Sequence, residues 1–248
     1  MFGSEPMLVL TVALVVFAAA LISAMAGFAF SALAGGALVY LLQDPVRTLA
    51  ILAPCSIAIH GYCAWSVRRE LDWRKLAPFV LAGALTVPLG VWLLARISVG
   101  LLASGLGMFL VVYGAYLILG SRRVLLRSSA LLDATVGGVG GLLAGLAGLS
   151  GASVSVWCGL RGWDKERSRA LCQPFILLMQ IEALPLLRAT RPAALPAETF
   201  YLYVPAALAA AWLGVALLRK VSGAQFDLLV RLALVLCGAA LLYPALVG

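Results

Sequence analysis

The run GLLAGLAGLSGASVSVWCGLRG (Gly141–Gly162) lies at the end of an apolar segment that is too long for one membrane crossing. The segment, Ala130–Leu160, holds 31 residues, and as one helix it would extend about 46 Å, against about 30 Å for the hydrocarbon core of a bilayer. A first segment, Met7–Leu42, is longer still at 36 residues. Both are rich in glycine and alanine. Each is either one tilted helix or a bent pair of short helices that returns to the side it entered.

Composition places these segments in a membrane protein. Of the 248 residues, 64% are apolar and 11% are charged, where a typical soluble domain has about 25% charged residues. We therefore expect an all-α polytopic membrane protein, surrounded by lipid, with roughly eight to ten membrane segments. Six further apolar runs, each about one crossing long, are Val46–Val67, Leu76–Ala95, Val99–Leu119, Ala170–Leu187, Phe200–Leu218 and Leu228–Val247.

The positions of Lys and Arg between the runs distinguish the two interpretations of the long segments. With single crossings throughout, the two sides receive 9 and 8 basic residues, which is no bias. If both long segments go in and back, the sides receive 13 and 4, as the positive-inside rule requires. We therefore expect both termini outside. The predicted cytoplasmic loops are residues 68–75, 120–129, 161–169 and 219–227.

An internal repeat supports the same arrangement. The stretch LGVWLLARIS (Leu89–Ser98) returns as LGVALLRKVS (Leu213–Ser222), with six of ten residues identical at an offset of 124. The sequence thus predicts two repeats, 1–124 and 125–248, in one transmembrane domain. Each would be a broken, re-entrant helix pair plus three transmembrane helices. Duplication of a unit with an odd number of crossings inverts the second copy, and inverted repeats around interrupted helices are typical of secondary transporters.

Several function classes fit the sequence poorly. The net charge of +8 comes from loops between apolar runs rather than from a basic stripe, so we expect no nucleic-acid partner. The five cysteines form no CxxC pair, which leaves a zinc site without support. A membrane enzyme would need an intramembrane catalytic set, and one histidine without clustered carboxylates does not supply it. We expect no cofactor, no metal, no catalytic residue and no P-loop ATPase.

The ordered motifs resemble a known family. The runs SAMAGFAFSALAGGALVYLL (Ser23–Leu42) and Gly141–Gly162, followed by APCSIAIHGY (Ala53–Tyr62) and ALCQPFILLMQI (Ala170–Ile181), are similar to paired motifs of the sulfite exporter TauE/SafE group of membrane permeases. The resemblance covers nearly the whole chain and implies transport of small sulfur-containing or organic anions such as sulfite, sulfoacetate and other sulfonates. Cys55-Ser56 and Cys172-Gln173 stand where a Thr-Ser pair is common in the family, which leaves the substrate open.

The two predicted breaks supply the first candidate substrate contacts. A helix that begins inside the membrane leaves N–H groups unpaired and carries a partial positive charge, so its N-terminus favours an anion. Glycine permits such a break. The alternative is that the glycines only allow helices to pack closely. The candidates are Gly27, Phe28 and Ser31 at the first break, and Gly148, Ser150, Gly151 and Ser153 at the second.

Polar side chains on the following helices supply the others. Ser56 and His60 share one helical face, as do Gln173 and Gln180 on the corresponding helix. At an offset of 120, His60 corresponds to Gln180, and the repeat predicts that both face one cavity. His60 is either a proton-coupling group or a neutral histidine bonded to a neighbouring helix. Glu182 is a second candidate for proton coupling, unless it reaches the membrane interface.

These observations predict a secondary transporter of a small sulfur-containing or organic anion, coupled to protons and working by alternating access. The expected location is a bacterial inner membrane. An anion channel, or a permease for a non-sulfur carboxylate, is the alternative. The sequence leaves open the transport direction, the coupling ion and whether the protein forms a homo-oligomer.

Overall fold

A computed structural model describes residues 5–43, 45–94, 96, 99–118, 129–190 and 198–247, and within these ranges the chain is all helical. Five helices are long and apolar enough to cross a membrane: Pro6–Ala26, Trp73–Leu94, Ala130–Ala147, Lys165–Ala189 and Gly223–Leu242. In chain order the helices are α1 (Glu5–Ala26), α2 (Phe30–Leu42), α3 (Pro45–Ser66), α4 (Trp73–Leu94), α5 (Val99–Ile118), α6 (Ala130–Ala147), α7 (Ser150–Leu160), α8 (Lys165–Thr190), α9 (Glu198–Leu218) and α10 (Gly223–Val247).

Both overlong segments are interrupted at a glycine. The first breaks between α1 and α2, where Gly27 has φ +93°, and the second between α6 and α7, where Gly148 has φ +67°. These backbone angles lie in the left-handed region, which glycine enters without steric cost. The Gly148 N–H donates to the Ala144 carbonyl at 2.9 Å, so the end of α6 is closed by its own backbone. The interpretation as one continuous tilted helix is therefore wrong for both segments.

The second segment folds back on itself. Asp133, in the first turn of α6, accepts hydrogen bonds on Oδ1 from Trp157 Nε1 at 2.8 Å and from Arg161 Nη1 at 3.0 Å. Asp133 and Arg161 are 28 residues apart, which is about 42 Å along a continuous helix. The beginning of α6 and the end of α7 therefore lie side by side, as the bent-pair interpretation predicts.

Three of the four loops predicted to share one side meet at one end of the bundle. Lys165 Nζ donates to the carbonyls of Leu218 at 3.4 Å and Val221 at 3.0 Å, which joins the α7–α8 loop to the α9–α10 loop. Residues 66–70 line a cavity with residues 165–169 and 215–219. Single crossings would have placed loop 68–75 on the opposite side from the other two. The fourth loop, 120–129, lies outside the described residues apart from Ser129.

Helix packing crosses the midpoint of the chain. One hydrophobic cluster combines α1, α2 and α3 with α9, and the other is built mainly from α4, α6, α7, α8 and α10. α6 and α4 pack very closely: a Cβ added at Gly141 would overlap the Gly83 carbonyl oxygen, and one added at Gly145 would overlap that of Val87. These two glycines serve helix packing. Each cluster thus contains a helix from the other half of the chain.

Candidate functional site

The two helix breaks meet near the centre of the bundle. A Cβ added at Gly151, in the first turn of α7, would lie 2.8 Å from Phe28 Cβ. A Cβ added at Gly148 would lie 3.5 Å from Ser31 Oγ, in the first turn of α2. Both short helices therefore start at the same place. Sequence reasoning selected these four residues from motifs 120 positions apart, and the structure brings them into contact.

A small cavity, here called the central cavity, lies where the breaks meet. Its volume is about 20 Å³, which is space for one water molecule. Apolar side chains of α5, α7, α8 and α10 form the rest of its wall. The predicted site residues that line it are Phe28, Ser31, Ser56, His60, Gly148 and Gly151.

A buried hydrogen bond between α3 and α8 borders the central cavity. His60 Nδ1 and Gln173 Oε1 are 2.7 Å apart, and both side chains are fully or almost fully buried. Because the amide oxygen only accepts, His60 donates from Nδ1 in this arrangement. Of the two roles open for His60, the structure displays the bond to a neighbouring helix. The partner is Gln173, and the prediction that His60 and Gln180 both face the cavity is wrong for Gln180.

Gln180 instead supports the second break. Its Nε2 donates to the Gly148 carbonyl at 3.0 Å. That carbonyl lies at the end of α6, where helix carbonyls lose their intrahelical partners. Gln180 therefore contributes to the site through the backbone of Gly148 and lies beside the cavity without lining it.

Buried polar atoms around the breaks have no partner in the described part of the chain. They are the hydroxyl oxygens of Ser23, Ser56 and Ser150 and the amide nitrogen of Gln173. Buried polar groups are almost always hydrogen-bonded, so each such group requires an explanation. Ser150 is the first residue of α7, and no side chain caps that helix at Leu149. Hydroxyl and amide donors thus lie near both breaks, and such groups can donate hydrogen bonds to an oxyanion.

Three predicted residues lie away from the central cavity. Gly27 lines a second cavity of about 60 Å³, bounded by α7, α8 and α10. Ser153 faces α6: its Oγ would lie 2.8 Å from a Cβ added at Gly140. Glu182 is partly exposed on α8, and among the described residues it lines neither cavity. Its side chain is thus separated from the breaks.

Sequence reasoning missed Arg169. It was counted as one of the basic loop residues, yet it lies in α8 with 3% of its surface exposed. Its Nη1 donates to the Ala24 carbonyl in the last turn of α1, just before the first break. The signal was present in the sequence, because Arg169 precedes Gln173 by four residues and so shares its helical face.

No metal centre is visible in this arrangement. Within the described ranges, no three His, Cys, Asp or Glu side chains are placed to hold a metal ion. The five cysteines are buried and free. The site therefore consists of neutral donors, one buried guanidinium and apolar walls.

Comparison with protein families matches residues 12–241 to the family "Sulfite exporter TauE/SafE". The chain belongs to this family. The match spans nearly the whole sequence, so the resemblance seen in the paired motifs is confirmed. TauE/SafE proteins are membrane permeases, and this chain is accordingly a multi-pass membrane protein of a transporter family. Neither the curated proteins nor the solved structures include a significant match.

Proposed function

We propose that this TauE/SafE protein is a secondary transporter of a small sulfur-containing or organic anion, such as sulfite, sulfoacetate or another sulfonate. The observation that carries the proposal is the convergence of the two helix breaks on a cavity bordered by unpartnered buried donors. Membership of a transporter family supports the transport role, and the buried donors support an anionic substrate.

The chemistry of the site suits an oxyanion. The α7 N-terminus directs unpaired N–H groups and the positive end of its dipole toward the break. In a dry interior such donors would be costly unless a ligand satisfied them. The proposed substrate contacts are Gly27, Phe28, Ser31, Ser56, His60, Gly148, Ser150, Gly151 and Gln173. Gln180 acts through the Gly148 carbonyl and Ser153 faces α6, so neither is proposed as a direct contact. Of these, Ser56 and Ser150 are the strongest candidates, because their hydroxyls are buried without partners.

Proton coupling, as proposed, uses His60. The ring is buried beside the central cavity and holds Gln173 through Nδ1, which leaves Nε2 to accept a proton. Glu182 is a less direct candidate, because its side chain is away from the breaks. A substrate anion and a proton that enter together would neutralise each other in the interior.

Alternating access would follow from a duplicated, inverted architecture with repeats 1–124 and 125–248. The packing supports this: α1 contacts α9 as α6 contacts α4, and α3 contacts α9 as α8 contacts α4. Each hydrophobic cluster contains a helix from the other half of the chain. The two bodies that move would therefore be the helices of these two clusters rather than the two halves of the sequence. The central cavity, with space for one water, would then belong to a closed state.

In the cell, the protein would lie in a bacterial inner membrane with both termini outside. The meeting of three basic loops at one end of the bundle supports this orientation.

Purified protein in liposomes tests the proposal. We expect sulfite or sulfoacetate to accumulate against its concentration gradient when a pH gradient is imposed. Fast flux that is only downhill would identify a channel instead. A thermal-shift screen in which acetate and other carboxylates raise the melting temperature, while every sulfur anion leaves it unchanged, would overturn the substrate class.

A further inference from the structure

Arg169 is a buried cation, and in the described part of the chain no carboxylate lies within ion-pair distance of it. Its Nη1 donates to the Ala24 carbonyl. Burying a guanidinium is costly unless it is paired and hydrogen-bonded. One neutral partner leaves most of its five N–H donors and its charge uncompensated.

Arg169 stands between two cavities. On one side is the 60 Å³ cavity, which it shares with Gly27 and Cys172. On the other is a cavity of about 290 Å³ at the loop end of the bundle, whose other charged lining residues are Glu70, Lys165, Glu166 and Arg219. Arg169 therefore lies between the loop end of the bundle and the first helix break.

From Arg169 a line of polar side chains leads inward along α8. Gln173 and Gln180 follow at four and eleven positions, on nearly the same helical face and within about 17 Å along the axis. A Cβ added at Gly27 would lie 3.8 Å from the unpartnered Nε2 of Gln173 and 4.0 Å from Cγ of Arg169. Arg169 and Gln173 thus flank the first break with free donors.

The opposite wall of the 60 Å³ cavity does not cancel this charge. Asp227 and Arg231 of α10 both line it, so their formal charges offset each other. Asp133, a buried acid of α6, is bound to Arg161. At the larger cavity, Glu70 and Glu166 offset the charges of Lys165 and Arg219. The side chains that line the two cavities therefore carry one net positive charge, which is that of Arg169.

We propose that Arg169, together with the amide of Gln173, forms a second anion-binding site between the loop end of the bundle and the central cavity. Its ligand is an oxyanion, the sulfonate or sulfite group of the substrate, held by charge-assisted hydrogen bonds from the guanidinium. This inference rests on the proposed function for the identity of the anion. It adds a residue and a position that the paired motifs do not contain.

Anion binding to the full-length protein in nanodiscs tests this site, with sulfoacetate and sulfite as probes and sodium chloride at equal ionic strength as reference. Arg169→Gln should weaken probe binding by about ten- to a hundredfold, the range for losing a hydrogen bond to a charged group. Arg169→Lys, which keeps the charge, should lose less. Arg74→Gln, an exposed arginine at the same end, is the matched control and should stay within about twofold of wild type.

The melting temperature without anion separates a binding role from a structural one. The substitution removes an unpaired buried charge and also the hydrogen bond to the Ala24 carbonyl, and because these two effects on stability oppose each other, Arg169→Gln should melt close to wild type in chloride alone. If the Gln variant does not fold, the weaker binding of Arg169→Lys carries the test. Equal probe affinities in wild type and both variants would overturn the proposal.

Binding and transport fail separately. If wild type binds sulfoacetate in an Arg169-dependent manner but liposomes never accumulate it, the transport proposal fails and the site stands. If liposomes accumulate the probe and the Arg169 variants bind and transport it as wild type does, the site fails and the transport proposal stands. A wild-type protein that binds neither probe overturns both.

Discussion

The two helix breaks differ in what holds them. The second pair, α6 and α7, is bonded to itself at its open end through Asp133 and Arg161, and its tip is held by Gln180. At the first break, side-chain support comes from the other half of the chain, where Arg169 bonds the last turn of α1. Both breaks are thus supported by α8. The difference indicates that the two helix pairs have unequal roles: the second is held by its own ion pair as well as by α8, whereas the first depends on α8.

Replacing Gly148 is the most severe test of the α6–α7 pair. Gly148→Leu should reduce the initial uptake rate by at least about tenfold, because φ +67° strains any L-residue by about 1–2 kcal/mol and the side chain would enter a cavity of about 20 Å³. The measurement is uptake into liposomes at matched protein content.

The matched control is Gly105→Leu. Gly105 is exposed on α5 and a Cβ added there meets no atom within 4 Å, so its uptake should stay near that of wild type. Gly107, on the same helix, is not a suitable control, because a Cβ added there would lie 2.9 Å from the Gly238 carbonyl oxygen. Similar uptake by the Gly148 and Gly105 variants would remove the second break from the transport path.

The ion pair at the open end tests whether the second pair is held as a unit. Asp133→Asn and Arg161→Gln should each lower the free energy of unfolding by about 2 kcal/mol, because each leaves a nearly buried charge without its partner. The double variant should lose less than the two losses combined, as a double-mutant cycle in SDS unfolding measures.

A surface pair provides the reference for this cycle. Lys75 in the first turn of α4 and Asp72 just before it lie 2.8 Å apart, with 58% and 44% of their side chains exposed. Lys75 lowers the pKa of the Asp72 carboxyl, yet such an exposed pair should show coupling of about 1 kcal/mol or less. Coupling at Asp133–Arg161 no larger than at Asp72–Lys75 would contradict the assignment of the second pair as a bonded unit.

The sequence predicted the helices well because lipid imposes a simple pattern. The run Val46–Val67 corresponds to α3 at Pro45–Ser66, and the break in Ala130–Leu160 falls within its glycine-rich part. Partners of polar side chains were less predictable. Arg169 meets Ala24 across 145 positions, and His60 meets Gln173 across 113. Such contacts depend on the rotation and depth of packed helices, which periodicity within one helix does not determine.

The two serines of α7 give the finest test of the comparison. Ser150 is fully buried at the first residue of the helix, and its hydroxyl has no partner in the described part of the chain. Ser153 is turned toward α6, and its Oγ lies 3.4 Å from the Ser150 carbonyl oxygen. The sequence predicts the same substrate-binding role for both hydroxyls, whereas the structure places them in different surroundings.

Ser150→Ala should therefore raise the KM for sulfoacetate about tenfold, the lower end of the range for losing a hydrogen bond to a charged group, with little change in melting temperature. Ser153→Ala should stay within about twofold, since its hydroxyl faces away from the central cavity. The two variants are matched in chemistry, helix and size, so a difference between them reports on direction alone. A larger effect at Ser153 would mean that the anion passes between α6 and α7, through the second pair rather than beside it.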